Sequence, residues 1–279
     1  MAKKIIPYDE AASKAIKKAS QLPLVKVDRE DFLRKQFGDS PHIEKIIKDG
    51  PQSVFSVDSL EKKANQLIKG STKKTTVNSF LAGLPSTPGL SIASAGIDVT
   101  QYFGFAINLA QKISYLFGVK EIGDNSSEEA EADITILLGV MLGVDGARIA
   151  LAKRFTESGL IIGKKVAAQA LTKTKWYPVL KSILHKIGIQ ITKKTVQKSI
   201  ADSFSIAGAA ASGAITWFSF RPLGMRLASV YIDLLNGKYD TEMELNKEFN
   251  KLLNDIKKAN TDAIDVEFEE IKHKKDLSY

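Results

Sequence analysis

Long charge-free stretches and helical spacing of apolar residues dominate the pattern of this chain. No charged residue occurs from 75 to 97, and after Asp98 the next charge is Lys112. Bulky residues recur at intervals of three and four through 99–117, the spacing of one face of an α-helix. The pattern predicts a buried central helix, and the prolines and glycine of 84–89 predict a turn before it.

Helix start and stop signals surround this central stretch. Asp28 and Gly38 bracket one predicted helix, and Ser40-Pro41 and Gly50 bracket a second. A third is predicted from Ser56 to Ile68, ended by Gly70. Later signals predict a helix with an acidic start that runs through 134–144, one that starts at 221 and ends at Asn236-Gly237, and an amphipathic helix at 241–258.

Alternation typical of strands is absent over any useful length, so the sequence predicts an all-α fold. We expect a single large helical domain, built around the central helix and a second apolar segment rich in small residues at 205–220. The two segments are expected to pack on each other, because small residues let helices approach closely. Gly139 and Gly143 predict another such approach, and Asp145 is expected to pair with Arg148.

Three regions are expected within this domain. Residues 1–74 form amphipathic helices packed on the core, 75–237 form the core, and 238–279 form a C-terminal amphipathic helix and a charged tail.

Positive charge is concentrated in one part of the chain, which has a net charge of +8 overall. Segment 153–198 holds eleven Lys and Arg residues against one acidic residue, Glu157. Basic amphipathic helices with interfacial aromatic residues are typical of proteins that bind anionic membrane surfaces. A solvated basic face with no partner is the alternative. The membrane-binding residues predicted here are Lys164, Lys165, Lys173, Lys175, Trp176, Tyr177, Lys181, Lys186, Lys193 and Lys194.

Polar residues share one face of the central helix at Asp98, Gln101, Asn108 and Lys112. They form either a hydrogen-bonded seam or a polar anchor inside an apolar pocket. A buried carboxylate needs a partner, so we expect Asp98 to meet a basic residue of the late segment, such as Arg221 or Arg226.

Catalytic and metal-binding patterns are absent from the sequence. The chain has no Cys, and its three His residues are scattered along the sequence. Neither a nucleophile elbow nor a phosphate-binding Gly-Lys-Ser/Thr loop occurs. We therefore predict a non-enzymatic protein with no cofactor and no metal. Lys far outnumbers Arg in the basic segment and aromatic residues are few, which disfavours nucleic acid as a partner.

Several motifs resemble the core of the bacterial EcsC family. They are 82–89 (AGLPSTPG) with Asp98, 110–118 (AQKISYLFG), 187–198 (IGIQITKKTVQK) and the Ala207-Gly208-Ala209 stretch. The family pattern introduces that last stretch with Ile-Pro, where this chain has Ser205-Ile206. The resemblance covers roughly 75–235. It implies an all-helical protein, often encoded near an ABC transporter, and it supplies no catalytic activity.

Two functions follow as hypotheses. The first is a lipid-binding protein, cytoplasmic and peripherally membrane-associated, that docks on anionic membranes through basic helices and holds an apolar ligand or inserts its small-residue helices. The second is a soluble interaction module that regulates a membrane protein such as an ABC transporter. The oligomeric state does not follow from the sequence.

Overall fold

A computed structural model describes residues 8–23, 25–83, 99–120, 122, 128–157, 176–189, 207–238 and 244–259. None of these residues lies in a strand, so the predicted all-α class is confirmed. The helices are α1 (Tyr8–Ser20), α2 (Arg29–Phe37), α3 (Ile43–Asp49), α4 (Val57–Gly83), α5 (Val99–Leu116), α6 (Glu128–Met141), α7 (Ala147–Glu157), α8 (176–189), α9 (Ala207–Leu235) and α10 (244–259). A 3₁₀ turn at Pro51–Ser53 precedes α4.

The predicted signals around α2 and α3 act largely as expected. Asp28 caps α2, because its side chain accepts a hydrogen bond of 2.8 Å from the backbone N–H of Asp31. Gly50 ends α3 at φ 94°, a conformation that favours glycine. The start of α3 was predicted two residues too early. The Ser40 hydroxyl instead accepts from the N–H of His42, and helical geometry begins at Ile43.

Gly70 does not end α4, contrary to the sequence prediction. The helix continues to Gly83 and passes through the predicted regional boundary at 74–75. A glycine costs about 1 kcal/mol inside a helix, which tertiary packing readily overrides. That packing comes from α9, because α4 and α9 make the most extensive contact between any two helices described.

Helices α5 and α9 run in the same direction. The ring of Tyr102, near the start of α5, meets the ring of Phe220, midway along α9, edge to face at 6.1 Å. About three turns further along both helices, the hydroxyls of Ser114 and Tyr231 lie 2.8 Å apart. Helices α5 and α9 therefore pack on each other, and Phe220, the last residue of the late apolar segment, is the part of that segment with a described side-chain contact to α5.

Helix α4 runs in the opposite direction to α5 and α9. Just before α4, the Gln52 side chain lies on Gly118 at the end of α5. Further along α4, Ile68 occupies the space beside Gly224, where a Cβ atom would lie 2.8 Å from it. The C-terminal end of α4 and the N-terminal end of α9 therefore lie toward the same end of the bundle. We call this end of the bundle the tip end.

The central helix α5 is buried, as predicted. The segment that follows α1 is held along it by Gln111, whose amide donates to the carbonyl of Val25 at 3.0 Å and accepts from the N–H of Val27 at 3.1 Å. Gly104 lets Leu22 and Val25 approach the helix closely. The buried apolar residues of α5 are Phe103, Ala106, Ile107, Leu109, Ala110, Ile113, Tyr115 and Leu116.

Two glycines of the α6 region have different roles. Gly139 lets α8 approach closely, as predicted, because a Cβ there would lie 2.7 Å from Ile183 and 3.0 Å from Ala147. Gly143 lies beyond the end of α6 with φ 71°, so it forms a turn, and a Cβ there would meet the Arg226 side chain of α9 at 3.6 Å. The single predicted helix through 134–144 therefore ends at Met141.

Helix α9 begins well before the predicted start at Arg221. It contains Pro222, which lacks the N–H that would otherwise bond the carbonyl one turn earlier. Its end agrees with the prediction, because Gly237 takes φ 81° directly after it. The predicted helix at 241–258 is present as α10, with Leu245 and Phe249 buried.

We predict opposite effects of alanine at two helical glycines. Gly70 has open space around its Cβ position, so Gly70→Ala should raise the free energy of unfolding by about 0.5–1 kcal/mol. Gly139→Ala would press on Ile183 and should lower it by about 1–3 kcal/mol. Urea unfolding of both variants checks this. If the free energy of unfolding changed with the same sign in both variants, the result would contradict the packing described for α8.

Candidate functional site

The described parts of the basic segment are 153–157, at the end of α7, and helix α8, which has one buried face. Trp176, Val179, Ile183 and Ile187 recur at helical spacing, and each is at most 4% exposed. Ile183 fits against Gly139 of α6, and Trp176 packs on Phe249 of α10 with ring centroids 5.0 Å apart. Two other helices therefore hold α8, which fixes what its opposite face presents.

The outer face of α8 presents basic and aromatic side chains. Tyr177, Lys181 and His185 are exposed at successive intervals of four, and Lys186 is half-buried beside them. Tyr8 of α1 packs edge to face on His185 at 5.5 Å. Residues 176–189 include no acidic residue. We call Tyr8, Tyr177, Lys181 and His185 the α8 face.

Exposed aromatic residues distinguish the α8 face from the rest of the described surface. Among the residues whose side chains the structure describes, which exclude 73–83 and 207–219, three large apolar side chains are exposed: Tyr177 at 63%, Tyr8 at 43% and Met225 at 37%. Two of the three belong to the α8 face. Tyrosine, with an apolar ring and a polar hydroxyl, suits the interface between water and hydrocarbon.

Trp176 corrects the sequence prediction of an interfacial Trp-Tyr pair. The indole is 4% exposed and packs on Phe249, so it belongs to the core. Adjacent residues of a helix point in different directions, so Tyr177 is exposed where Trp176 is not. Of the predicted lysines, Lys181 is exposed and Lys186 half-buried. Lys164, Lys165, Lys173, Lys175, Lys193 and Lys194 lie outside the described residues.

The direction of α8 follows from its neighbours. The end of α6 lies toward the tip end, because Arg226 of α9 donates to the carbonyl of Met141 at 3.1 Å. The start of α6 lies away from it, next to α1, where the Ser13 hydroxyl donates to Glu131 at 2.9 Å. Helix α8 passes from Gly139 to Tyr8 at the beginning of α1. Tyr177 therefore lies at the end of α8 that faces the tip end.

The predicted polar seam of α5 is described in part. Asp98 lies outside the described residues, so its partner stays a prediction. Gln101 is in α5, and Asn108 is half-buried with polar partners of its own. Arg221 is exposed, and Arg226 bonds the end of α6.

A buried hydroxyl pair was missed by the sequence analysis. Ser114 donates to the carbonyl of Ala110 at 2.8 Å, so the Tyr231 hydroxyl donates to Ser114. The Tyr231 ring stacks on Phe117 at 5.5 Å and meets Phe155 at 5.2 Å. Burial raises the pKa of the Tyr231 phenol, which keeps it protonated as the donor.

A second missed feature is the ion pair of Asp133 and Arg154. The guanidinium donates to both carboxylate oxygens, at 2.7 and 3.3 Å, and the two side chains are 15% and 18% exposed. Burial raises the pKa of the Asp133 carboxyl, and Arg154 offsets only part of that rise. Residues so far apart in sequence leave no local pattern that announces such a pair.

Arg148 does not follow its predicted pairing with Asp145. Its guanidinium contacts Asp233 of α9 at 2.7 Å, and Lys238 contacts the same carboxylate at 2.8 Å. Nearby, a cleft of about 440 Å³ is lined by both Arg148 and Arg226 and by Asp145 and Glu248. Charges of both signs on its wall give this cleft no selectivity for an anion or a cation.

Comparisons with protein-family models, curated proteins and solved structures find nothing that matches this chain. The resemblance to the EcsC family therefore stays a prediction. Within the described residues, no three His, Asp or Glu side chains are grouped so as to hold a metal ion. In the same part of the chain, no helix has both the length and the hydropathy needed to cross a bilayer.

We predict that Arg154→Met lowers the free energy of unfolding by about 3–5 kcal/mol, because it leaves the Asp133 carboxylate buried and unpaired. The variant should raise the pKa of Asp133 further. A carboxyl whose pKa is raised in the folded state destabilises the fold as pH rises through that pKa. The free energy of unfolding that Arg154→Met loses relative to wild type should therefore be smaller at about pH 5 than at about pH 8.

The double variant Asp133→Asn with Arg154→Met is the control, because it contains no titrating group at the pair. The difference in free energy of unfolding between this double variant and wild type should depend much less on pH. Urea unfolding of all three proteins at both pH values measures the effect. An equal loss for Arg154→Met at both values would show that Asp133 is not the group left unpaired.

Proposed function

We propose that this protein docks on anionic membrane surfaces as a peripheral, non-enzymatic lipid-binding protein. The observation that carries the proposal is the outer surface of α8, where exposed Tyr177 and Lys181 and half-buried Lys186 lie on a helix with no acidic residue. Basic residues attract anionic headgroups, at about 1 kcal/mol for each one near the surface. Tyrosine rings add burial at the interface.

The charge of the neighbouring sequence supports the same partner. Segment 158–175, which leads into α8, contains Lys164, Lys165, Lys173 and Lys175 and no acidic residue. Lys173 and Lys175 stand directly before the first residue of α8 in the sequence. Docking of a lysine-rich surface needs no shaped pocket, since the attraction is between diffuse charges.

In vesicle flotation, we expect the protein to bind vesicles with about 30% phosphatidylserine and to bind pure phosphatidylcholine vesicles little. Binding to the anionic vesicles should weaken as added salt shortens the Debye length. Lys181→Glu with Lys186→Glu should weaken the partition coefficient by about thirtyfold or more, since two favourable charges of about 1 kcal/mol each are reversed.

The matched control is Lys45→Glu with Lys48→Glu. It makes the same change of charge at two exposed positions of α3. This variant should bind almost as wild type does. Equal binding to neutral and anionic vesicles, or none to either, would refute electrostatic docking. It would favour the alternative, an interaction module that regulates a membrane protein through protein contacts.

A further inference from the structure

The two longest helices carry charge-free ends at the same end of the bundle. Helix α4 has no charged residue after Lys74, and α9 has none before Arg221. Because the helices are antiparallel, 75–83 of α4 and 207–220 of α9 both extend toward the tip end. We call these two stretches the tip. The charge-free sequence continues beyond them, from 84 to 97 and back from 206 to 203.

The charge-free part begins at one level in both helices. Ile68 lies against Gly224, which fixes the register of the pair. Arg221 lies about 4.5 Å from Gly224 toward the tip, and Lys74 about 9 Å from Ile68 in the same direction. The two borders between charged and charge-free helix thus differ by less than one helical turn. Helix packing does not require the charged residues of α4 and α9 to end at the same level. Insertion of both helices into a bilayer does require it.

The border itself is basic. Lys69 and Arg221 are exposed there, and Lys73 and Lys74 follow along α4. No acidic residue occurs in 62–83 of α4 or in 207–232 of α9. The acidic residues Asp58 and Glu61 of α4 lie at the opposite end of the helix. This arrangement complements an anionic headgroup layer with hydrocarbon behind it.

The length of the tip matches one leaflet. At 1.5 Å per residue, 75–83 spans about 13 Å and 207–220 about 20 Å of helix. The hydrocarbon of one leaflet is about 15 Å thick, half of a core of about 30 Å. Paired helices also satisfy their own backbone hydrogen bonds, which hydrocarbon requires of any inserted segment.

Resting on the proposed docking function, we propose that the tip inserts into the leaflet that the protein docks on, with the basic border at the headgroups. Met225 is exposed one helical turn from Arg221, on the side away from the tip, and it then lies at the membrane surface. The bundle stands along the membrane normal, so the Tyr177 end of α8 approaches the headgroups and the His185 end points away.

Single labelled cysteines test the insertion directly, because the chain has no Cys. Ala211→Cys in α9 and Ala82→Cys in α4 place a nitrobenzoxadiazole dye in the tip. Asn236→Cys and Asn65→Cys are matched controls on the same two helices outside it. With vesicles of about 30% phosphatidylserine, the tip labels should shift to the blue and be quenched by doxyl groups on the acyl chains. The control labels should do neither.

The outcomes separate this proposal from docking itself. Flotation with unchanged, unquenched tip labels would overturn insertion and leave electrostatic docking intact. Absence of flotation would overturn both. A blue shift that appears without lipid and grows with protein concentration would assign the tip to a second copy of the chain and would also overturn insertion.

The upright orientation has its own test in two single variants of α8. Lys186 lies about 7 Å farther from the tip end than Lys181, a distance comparable with a Debye length of about 10 Å. Lys181→Gln should therefore weaken vesicle binding more than Lys186→Gln, with both variants checked for unchanged thermal unfolding. An equal or larger loss for Lys186→Gln would overturn the upright orientation in favour of docking along the whole of α8.

Discussion

Tyr231 buries a phenol hydroxyl among aromatic rings, and Ser114 is the group that satisfies it. An unpaired hydroxyl there would cost about 1–3 kcal/mol, so the 2.8 Å contact fixes how α9 lies along α5. Phe117 and Phe155 close around the same ring and bring α7 to the same place. The level of α5 and α7 on α9 follows from this one junction.

Close approach of helices, which glycine permits, is the second condition for the fold. Ile68 meets Gly224 in the α4–α9 pair, and Ile183 meets Gly139 where α8 docks. The fit of an isoleucine side chain against each glycine limits each helix pair to one register. A slip of one residue would place a side chain against the backbone. The same register brings the charge-free ends of α4 and α9 to one level, so the feature on which the membrane proposal rests is a consequence of core packing.

Charge is distributed along the bundle axis in a way that core packing does not demand. Acidic residues of α4 and α9, such as Asp58 and Asp233, lie away from the tip end, and exposed Lys69 and Arg221 lie near it. Asp233 is engaged by Arg148 and Lys238 and so is largely neutralised locally. In the proposed docking, a field of this polarity would orient the protein on an anionic surface before contact, because steering acts over the whole molecule.

By itself, the sequence determined the all-α class, the buried central helix and the helix ends marked by Asp28, Gly50 and Gly237, because periodicity and capping act over a few residues. Only the tertiary structure decided that α4 runs on through Gly70, that α9 includes Pro222, and that Trp176 belongs to the core while Tyr177 faces outward. The partners of Gln111, Asp133 and Ser114 lie twenty-one to more than a hundred residues away. Their interactions depend on helices meeting in space, and no local spacing encodes such a meeting.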